Sequence, residues 1–523
     1  MKRAVPRLQN QPGGSSSAVT RCKPCCGINC RESRLIPARL EAPVSLPAQI
    51  SASLPTPEAR AKPIEFLMKT GQYSQALGLL LPKVQAEPPA LDVLHAVADC
   101  YWGMDMTERC FLVLDAVADT WPEHLETWHK IGTRKLALGD RAAASAAFHK
   151  MLDLDPVSAM ALSSLHLADP LAADSAEAAK LRQLAGSPLL SVEETACVCN
   201  ALGQIEGAAG NTRQAMQYFR KCKDAIPGTY SPAEFDQRIA EQRAAFHPGA
   251  TPEALTGDGA PRFAFVTGLP RSGTTLLDVM LSRHPDIASI GESPGLADAR
   301  LAAHSLMKKQ AADPGFWQWC QEAPVALLSA VRNAFLQNNV PAEPAGASVI
   351  VDKMPANALE MGFARMILPE ARFIFMMRHP LDVGLSLFTR NFANGQLFSK
   401  RLEWIGHMIR TVYASLDDFQ PKLGSRLRVQ SYRALVEAPE PQMRAILAHL
   451  EMDWNPACLS PEASDQAVKT ASVMQVRKGI NRKGLDKWKP YEAELAPLIA
   501  ALGGWKWIRE WEARDAAAAA ADA

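Results

Sequence analysis

The chain has 523 residues, more than one ordinary hydrophobic core accommodates and enough for two or three domains. Hydrophobic residues make up 48% and charged residues 21%, the balance of a water-soluble globular protein. Lys and Arg number 56 against 55 Asp and Glu, so the net charge of +1 excludes bulk attraction to nucleic acid or an anionic membrane and leaves only a local phosphate pocket open.

Residues 1–63 are rich in Pro, Ser, Gly and Arg without sustained periodicity, which predicts a disordered or low-complexity leader. Its opening, MKRAVPRLQNQPGG, lacks the apolar core of a signal peptide, and no apolar run of about 18 residues follows anywhere. These features predict a cytoplasmic protein without a membrane span. The chain carries 11 cysteines, an odd number, with Cys22, Cys25, Cys26 and Cys30 crowded together. Thiolates at such spacing suit zinc, but in a leader of this composition the plainer reading is cysteines that bind nothing, and no metal is expected.

Residues 64–245 show an internal period. Pro88, Pro122 and Pro156 are spaced by 34 residues, and Gly71, Gly139 and Gly210 each stand 17 residues before a proline position (Pro88, Pro156 and Pro227). The segments between read as helix, short turn, helix. The glycine is expected to let one helix approach the next, with Ala76, Ala144 and Ala215 at tight crossings, and the proline ends each second helix because its ring cannot continue the hydrogen-bond ladder. The pattern resembles the tetratricopeptide repeat. The resemblance implies an α-solenoid with a concave groove of the kind that binds peptides or proteins.

The stretch 246–260, rich in Pro, Gly and Thr, reads as a linker to a second domain over 261–512, followed by an Ala-rich tail over 513–523. FAFVTGLPRSGTTLLDVML opens this domain as a buried strand (Phe263–Thr267), a Gly-containing loop and an apolar helix. Such a unit directs backbone N–H groups and a helix N-terminus at an anion. Gly268 and Gly273 have the spacing of a nucleotide triphosphatase P-loop, but Thr274 occupies the lysine position, and Arg271 supplies the positive charge from within the loop. A second strand, Phe373–Met377, delivers Arg378, with Ser386 eight residues on and Arg390 one helical turn after that.

PRSGTT after a strand, with Arg378 and Ser386 downstream, resembles the sulfotransferases that use 3′-phosphoadenosine 5′-phosphosulfate. The fold class expected is therefore α + α/β, a tetratricopeptide-like solenoid followed by a P-loop-type parallel-sheet domain. The resemblance implies that Arg271, Ser272, Gly273, Thr274 and Thr275 hold the 5′-phosphosulfate, and that Arg378 and Ser386, joined by Arg390, hold the 3′-phosphate. Glu292, 21 residues after Arg271, matches the general base of the tyrosylprotein branch. Lys353 in VIVDKMPAN and Ser472 match the pair that acts at the phosphate–sulfuryl bridge, and Tyr432 and Lys487 match groups approaching the nucleotide. His284, His379 and His407 stand as substitute bases. The resemblance also implies a nucleotide donor and is compatible with a protein or peptide acceptor in the repeat groove. It does not distinguish a tyrosine from a glycan, lipid or small phenol, nor does it fix an oligomeric state. A binding scaffold with an inactive nucleotide domain, and a P-loop kinase, are the competing readings; the kinase would need a lysine at position 274 and acids for Mg²⁺.

Overall fold

A computed structural model describes residues 62–84, 89–246, 255, 261–307, 316–340, 346–392, 396–463 and 479–520. The Cys22–Cys30 cluster, Pro88 and Ser472 lie outside the described residues. The chain divides into two compact units, Met1–Thr127 and Trp128–Ala523. Among the described residues no helix is long and apolar enough to cross a membrane, and none of the seven cysteines forms a disulfide.

The first unit contains α1 (Pro63–Lys69), α2 (Tyr73–Val84), α3 (Leu91–Gly103) and α4 (Thr107–Thr120). Leu77 and Leu80 of α2, Leu94, Val97 and Tyr101 of α3, and Val113, Leu114 and Val117 of α4 are buried, the i, i+3/i+4 stripes that amphipathic helices bring together. Helix α5 (Leu125–Ala137) runs across the division.

The second unit begins with helical hairpins: α6 (Arg141–Leu154), α7 (Ala159–Ala168), α8 (Ala176–Ala185), α9 (Val192–Ala208), α10 (Thr212–Ala225) and α11 (Pro232–Ala245). The repeated glycines and prolines fall at fixed places. Gly71, Gly139 and Gly210 each lie two residues past a helix end with φ of 73°, 86° and 83°. Pro122, Pro156 and Pro227 each lie two residues past the end of the partner helix. Gly71 and Gly210 do not serve helix approach, however, since a Cβ on either would meet open space. They supply the left-handed backbone. Close approach is made seven residues earlier, where a Cβ on Gly132 or Gly203 would lie 2.4 Å from Phe148 or 2.5 Å from Phe219.

The sheet follows, with β1 (Arg262–Gly268), β2 (Ile287–Ser289), β3 (Val349–Asp352), β4 (Arg372–Met377) and β5 (Leu427–Ser431) all parallel in the order β2-β3-β1-β4-β5. The near-continuous apolar runs RFAFV, VIV and RFIFMM are those of strands covered on both faces. The connecting helices are α12 (Thr274–Leu281), α13 (Gly295–Met307), α14 (Phe316–Glu322), α15 (Val325–Asn339), α16 (Met361–Ile367), α17 (Pro380–Phe388), α18 (Leu402–Leu423), α19 (Tyr432–Glu437), α20 (Pro439–His449), α21 (Ala496–Leu502) and α22 (Gly504–Ala520), the last reaching into the Ala-rich end.

The division between units falls at Thr127, not in the 246–260 stretch that the composition marks as a linker. The reason is burial. Ala215, Met216, Phe219 and Phe246 belong to the same apolar cluster as Phe263, Phe265, Phe375 and Phe419. Polar ties reinforce it: Arg243 donates to Ser415 Oγ at 3.1 Å and to the Thr411 carbonyl at 2.8 Å. Lys223, from α10, is fully buried and donates to the carbonyls of Leu387 (3.3 Å) and Arg390 (2.6 Å) and to Ser399 Oγ (3.1 Å). Burial lowers its ammonium to about 8. Asn200 Nδ2 donates to the Thr389 carbonyl at 2.8 Å. Two side chains of the helical region thus satisfy carbonyls at the C-terminal end of α17, where a helix leaves acceptors without partners.

Chain length alone predicts that residues from about 255 onward fold without the helices; this packing argues the reverse. A chain starting at Trp128 should unfold cooperatively in circular-dichroism melts. One starting at residue 255 should show no cooperative transition, because the surfaces of α17 and α18 that α9–α11 cover become exposed. A sharp transition in the shorter chain would show that the sheet domain is self-sufficient.

Candidate active site

The site residues stand at the carboxyl ends of the parallel strands, where α/β sheets open their crevice. After β1, the loop to α12 turns through positive φ at Gly268 (139°), Arg271 (75°) and Gly273 (107°). Gly268 has no room for a side chain, since a Cβ would sit 2.8 Å from the Met376 carbonyl oxygen of neighbouring β4. A Cβ on Gly273 would sit 2.4 Å from the Tyr432 ring. A left-handed arginine is strained, and two contacts hold it: Arg271 Nε donates to Ser386 Oγ at 2.9 Å, and Arg378 Nη1 donates to the Arg271 carbonyl at 2.7 Å. Thr274 and Thr275 begin α12, both buried, with the helix's first N–H groups beside them.

Arg378 leaves the end of β4, donates to the Gly484 carbonyl at 2.5 Å, and lies over the Tyr432 ring at 4.8 Å. Arg390 lies beyond the end of α17, not on the same helical face as Ser386, and its position is fixed by the Lys223 bond to its carbonyl. The positive charges nevertheless converge. Burial, and then the charges of Arg390 and Arg378, lower the Arg271 guanidinium to about 9. Lys487 has an exposed side chain, yet partial burial of its ammonium and the charges of Arg378, Arg390 and Arg271 lower it too. Cations that repel one another in a low-dielectric setting mark a site shaped for an anion. Two buried groups there, Ser272 Oγ and Arg378 Nε, have no hydrogen-bond partner among the described residues. A phosphate-bearing ligand fits them, and fits the glycine cradle.

A second cluster forms on the other side of β1. Lys353, directly after β3 and 1% exposed, donates to Glu292 Oε1 at 2.6 Å, while the Glu292 side chain remains 43% exposed. The Gly291 carbonyl accepts the Lys353 N–H at 2.9 Å, which ties the loop after β2 to the end of β3. Two buried acids that sequence reasoning missed lie beside this pair. Asp278, on α12, accepts from Ser289 Oγ at 2.5 Å, and burial raises its carboxyl to about 6 although the Lys353 charge pulls it back. Asp352 is fully buried, and burial followed by the charges of Asp278 and Glu292 pushes it well above the ordinary carboxylate range. The available signal was a lone acid inside each apolar run, LLDVML and VIVD.

The substitute bases are engaged elsewhere. His284 Nε2 meets the Asp453 carbonyl at 3.1 Å. His379 caps α17, stacks on Trp488 and meets Glu512. His407 lies between Tyr230 and Asp236.

Residues 262–456 match the sequence model of the sulfotransferase family. Over 256 residues the chain is 33% identical to an uncharacterized protein of Aquifex aeolicus (strain VF5), covering 48% of this chain and about a third (34%) of that protein's length. It is 29% identical over 262 residues to protein-tyrosine sulfotransferase 1 of Danio rerio, covering 46% of this chain and 71% of that protein. Among solved structures, the sulfotransferase domain of the Synechococcus PCC 7002 olefin synthase aligns at 23% identity and a TM-score of 0.32, covering 45% of this chain and 90% of that one.

Two predictions follow from this geometry. Arg378→Ala should weaken binding of 3′-phosphoadenosine 5′-phosphate by about 1.5–3 kcal/mol, the range for a charge-assisted hydrogen bond, and relax discrimination against nucleotides lacking the 3′-phosphate. Calorimetric titration with both nucleotides reads this, and unchanged discrimination would place the 3′-phosphate elsewhere. The second concerns Asp278. A carboxyl raised in the folded state contributes stability that is complete below its unfolded pKa and is lost as pH rises through about 6. Asp278→Asn keeps the Ser289 contact but does not ionise, so in urea melts it should be more stable than wild type at pH 7.5, by up to roughly 2–3 kcal/mol. The difference should vanish near pH 4, and a constant difference across that range would contradict the assignment.

Proposed function

We propose that the chain transfers a sulfuryl group from 3′-phosphoadenosine 5′-phosphosulfate to an acceptor hydroxyl. The observation that carries this reading is the pairing of an arginine cluster around a strained loop with an accessible Glu292–Lys353 pair, both at the carboxyl edge of one sheet. The loop residues Arg271 to Thr275 hold the 5′ end of the donor, and Arg378, Ser386 and Arg390 hold the 3′-phosphate. Tyr432 and Lys487 close on the nucleotide. The donor supplies the S–O bond that breaks. A new O–S bond forms to the acceptor oxygen, its proton passes to Glu292, and 3′-phosphoadenosine 5′-phosphate departs with the electron pair of the broken bond. Lys353 meets the negative charge that develops on the bridging oxygen, together with Ser472 by the resemblance. Thr274 in place of a P-loop lysine separates this chemistry from that of a kinase. Similarity to protein-tyrosine sulfotransferases supports a phenolic hydroxyl as acceptor, and a peptide or protein is the form we assign to it.

Glu292→Gln preserves size and hydrogen bonding but removes the basic site. Turnover on a poorly acidic phenol should fall by about 10²–10⁴-fold while affinity for 3′-phosphoadenosine 5′-phosphate stays near wild type. The loss should shrink as the phenol becomes more acidic. Absence of nucleotide binding at micromolar concentration in wild type would overturn the reading, and binding without transfer to any peptide, glycan or phenol would favour a scaffold.

A further inference from the structure

Glu292 is carried by a short connecting segment rather than by a helix or strand. Strand β2 ends at Ser289, and Gly291 takes the left-handed backbone with φ of 63° immediately before Glu292. The edge of β3 holds part of this segment. The Ile290 N–H donates to the Val351 carbonyl at 2.9 Å, and the Gly291 carbonyl accepts from the Lys353 N–H. The Gly291 N–H is held by a side chain instead. It donates to Ser289 Oγ at 3.1 Å, and Ser289 Oγ donates to Asp278 Oδ1 at 2.5 Å.

A hydroxyl suits this link, since one lone pair accepts while its single hydrogen is spent on the carboxyl group. The bond does not require an ionised Asp278, because a protonated carboxyl still offers its carbonyl oxygen. The far end of the link is fixed by packing. Asp278 is 6% exposed on α12, one turn after Thr274 opens that helix. Leu277, Met280 and Leu281 beside it are fully buried in the cluster that includes Ala264 and Val266 of β1. A leucine would match the shape of Asp278 in these apolar surroundings without the cost of burying an acid. Packing therefore does not explain the acid; its partner does, and among the described residues that partner is Ser289.

We propose that Asp278 is a positioning residue for Glu292: through Ser289 it fastens the Gly291 N–H, and with it the segment that carries the base, to the helix that starts at the donor loop. This rests on the sulfuryl-transfer reading, in which Glu292 takes the acceptor's proton. The two ends of Glu292 are then held separately. Lys353 Nζ meets its carboxylate at 2.6 Å, and the Asp278–Ser289 link sets the backbone from which that carboxylate extends. A reacting group out of place by about 1 Å loses up to about 10²-fold in rate, so an anchor remote from the acceptor is felt in turnover.

Three variants of the full chain test this. Asp278→Leu keeps the shape and removes both acceptor oxygens, Ser289→Ala is the milder change that removes the relaying hydroxyl, and Asp278→Asn keeps an acceptor without the charge. Hydrogen exchange at the Gly291 and Glu292 amides, read by mass spectrometry, should quicken about 10-fold in Asp278→Leu and Ser289→Ala and stay near wild type in Asp278→Asn. Transfer to 4-methylphenol should show the same order, with kcat about 10–100-fold lower in the first two and an unchanged dissociation constant for 3′-phosphoadenosine 5′-phosphate. In a Glu292→Gln background the same two substitutions should cost less than about 2-fold, because the displaced segment no longer carries a base. A merely structural role would cost the same factor in both backgrounds. Unchanged exchange in both acceptor-free variants, a loss of turnover that persists in Glu292→Gln, or an Asn variant as impaired as Leu overturns the proposal. The exchange comparison needs neither substrate. It decides the anchor even where wild type binds no nucleotide or transfers nothing to this phenol, outcomes that count against the sulfuryl-transfer reading instead.

Discussion

Three guanidinium groups, Arg271, Arg378 and Arg390, are gathered at one edge of the sheet, where burial first and then the neighbouring charges depress Arg271 to about 9, and much of the surrounding architecture manages their repulsion. Arg378 spends two of its donors on backbone carbonyls, of Arg271 and Gly484, and rests its face on Tyr432. Arg271 accepts a left-handed backbone, which turns its carbonyl toward Arg378 and its side chain toward Ser386. Each contact fixes a cation without neutralising it. A surface salt bridge would have removed the charge from use; carbonyl oxygens hold the group and leave its charge for a ligand.

The sheet order separates this charge from its opposite. Strands β4 and β5 deliver Arg378 and Tyr432 on one side of β1, while β2 and β3 lead to Glu292, Asp352 and Lys353 on the other. The loop after β1 stands between them. A carboxylate set among the three arginines would neutralise them, whereas Glu292 pairs with Lys353 apart from them. Spacing along the sheet edge keeps both available. Helix α12 bridges the two regions, with the loop at its N-terminus and buried Asp278 one turn further on, where it feels Lys353 and Glu292.

How much of this the sequence discloses depends on range. Elements fixed by local pattern were legible: β1 and β4 from their apolar runs, the loop between β1 and α12 from its glycines, and the helix boundaries from Gly139, Gly210, Pro156 and Pro227. The candidate residues Arg271, Ser386, Arg378 and Tyr432, and the Glu292–Lys353 pair, were legible through their spacing and a family resemblance, and they meet in space. What sequence did not disclose depends on distant partners. The positive φ of Arg271 is tolerated because Ser386 and Arg378 hold it, more than a hundred residues away. Arg390 was placed on the α17 face by helical periodicity, but the helix ends before it. The turn glycines were credited with close approach because glycine serves both purposes, and only the packing of Phe148 and Phe219 assigns that role to Gly132 and Gly203.

The place of the 246–260 stretch turns on a related point. Composition marks where a chain is free to turn, but domain independence is decided by which surfaces are buried on either side. Here Lys223 carries a charge into the interior at a desolvation cost large enough to lower its ammonium to about 8. A buried lysine is tolerated when its donors are used, and this one gives them to Leu387, Arg390 and Ser399. Its partner Asn200 does the same for Thr389. The carbonyls they satisfy lie at the end of the helix that carries Ser386, and one belongs to Arg390. The helical hairpins therefore reach the arginine cluster from behind through α17, and Tyr230 at their end lines the neighbouring cleft. A segment that borders both regions is not a detachable module, and a change in its packing is felt at both.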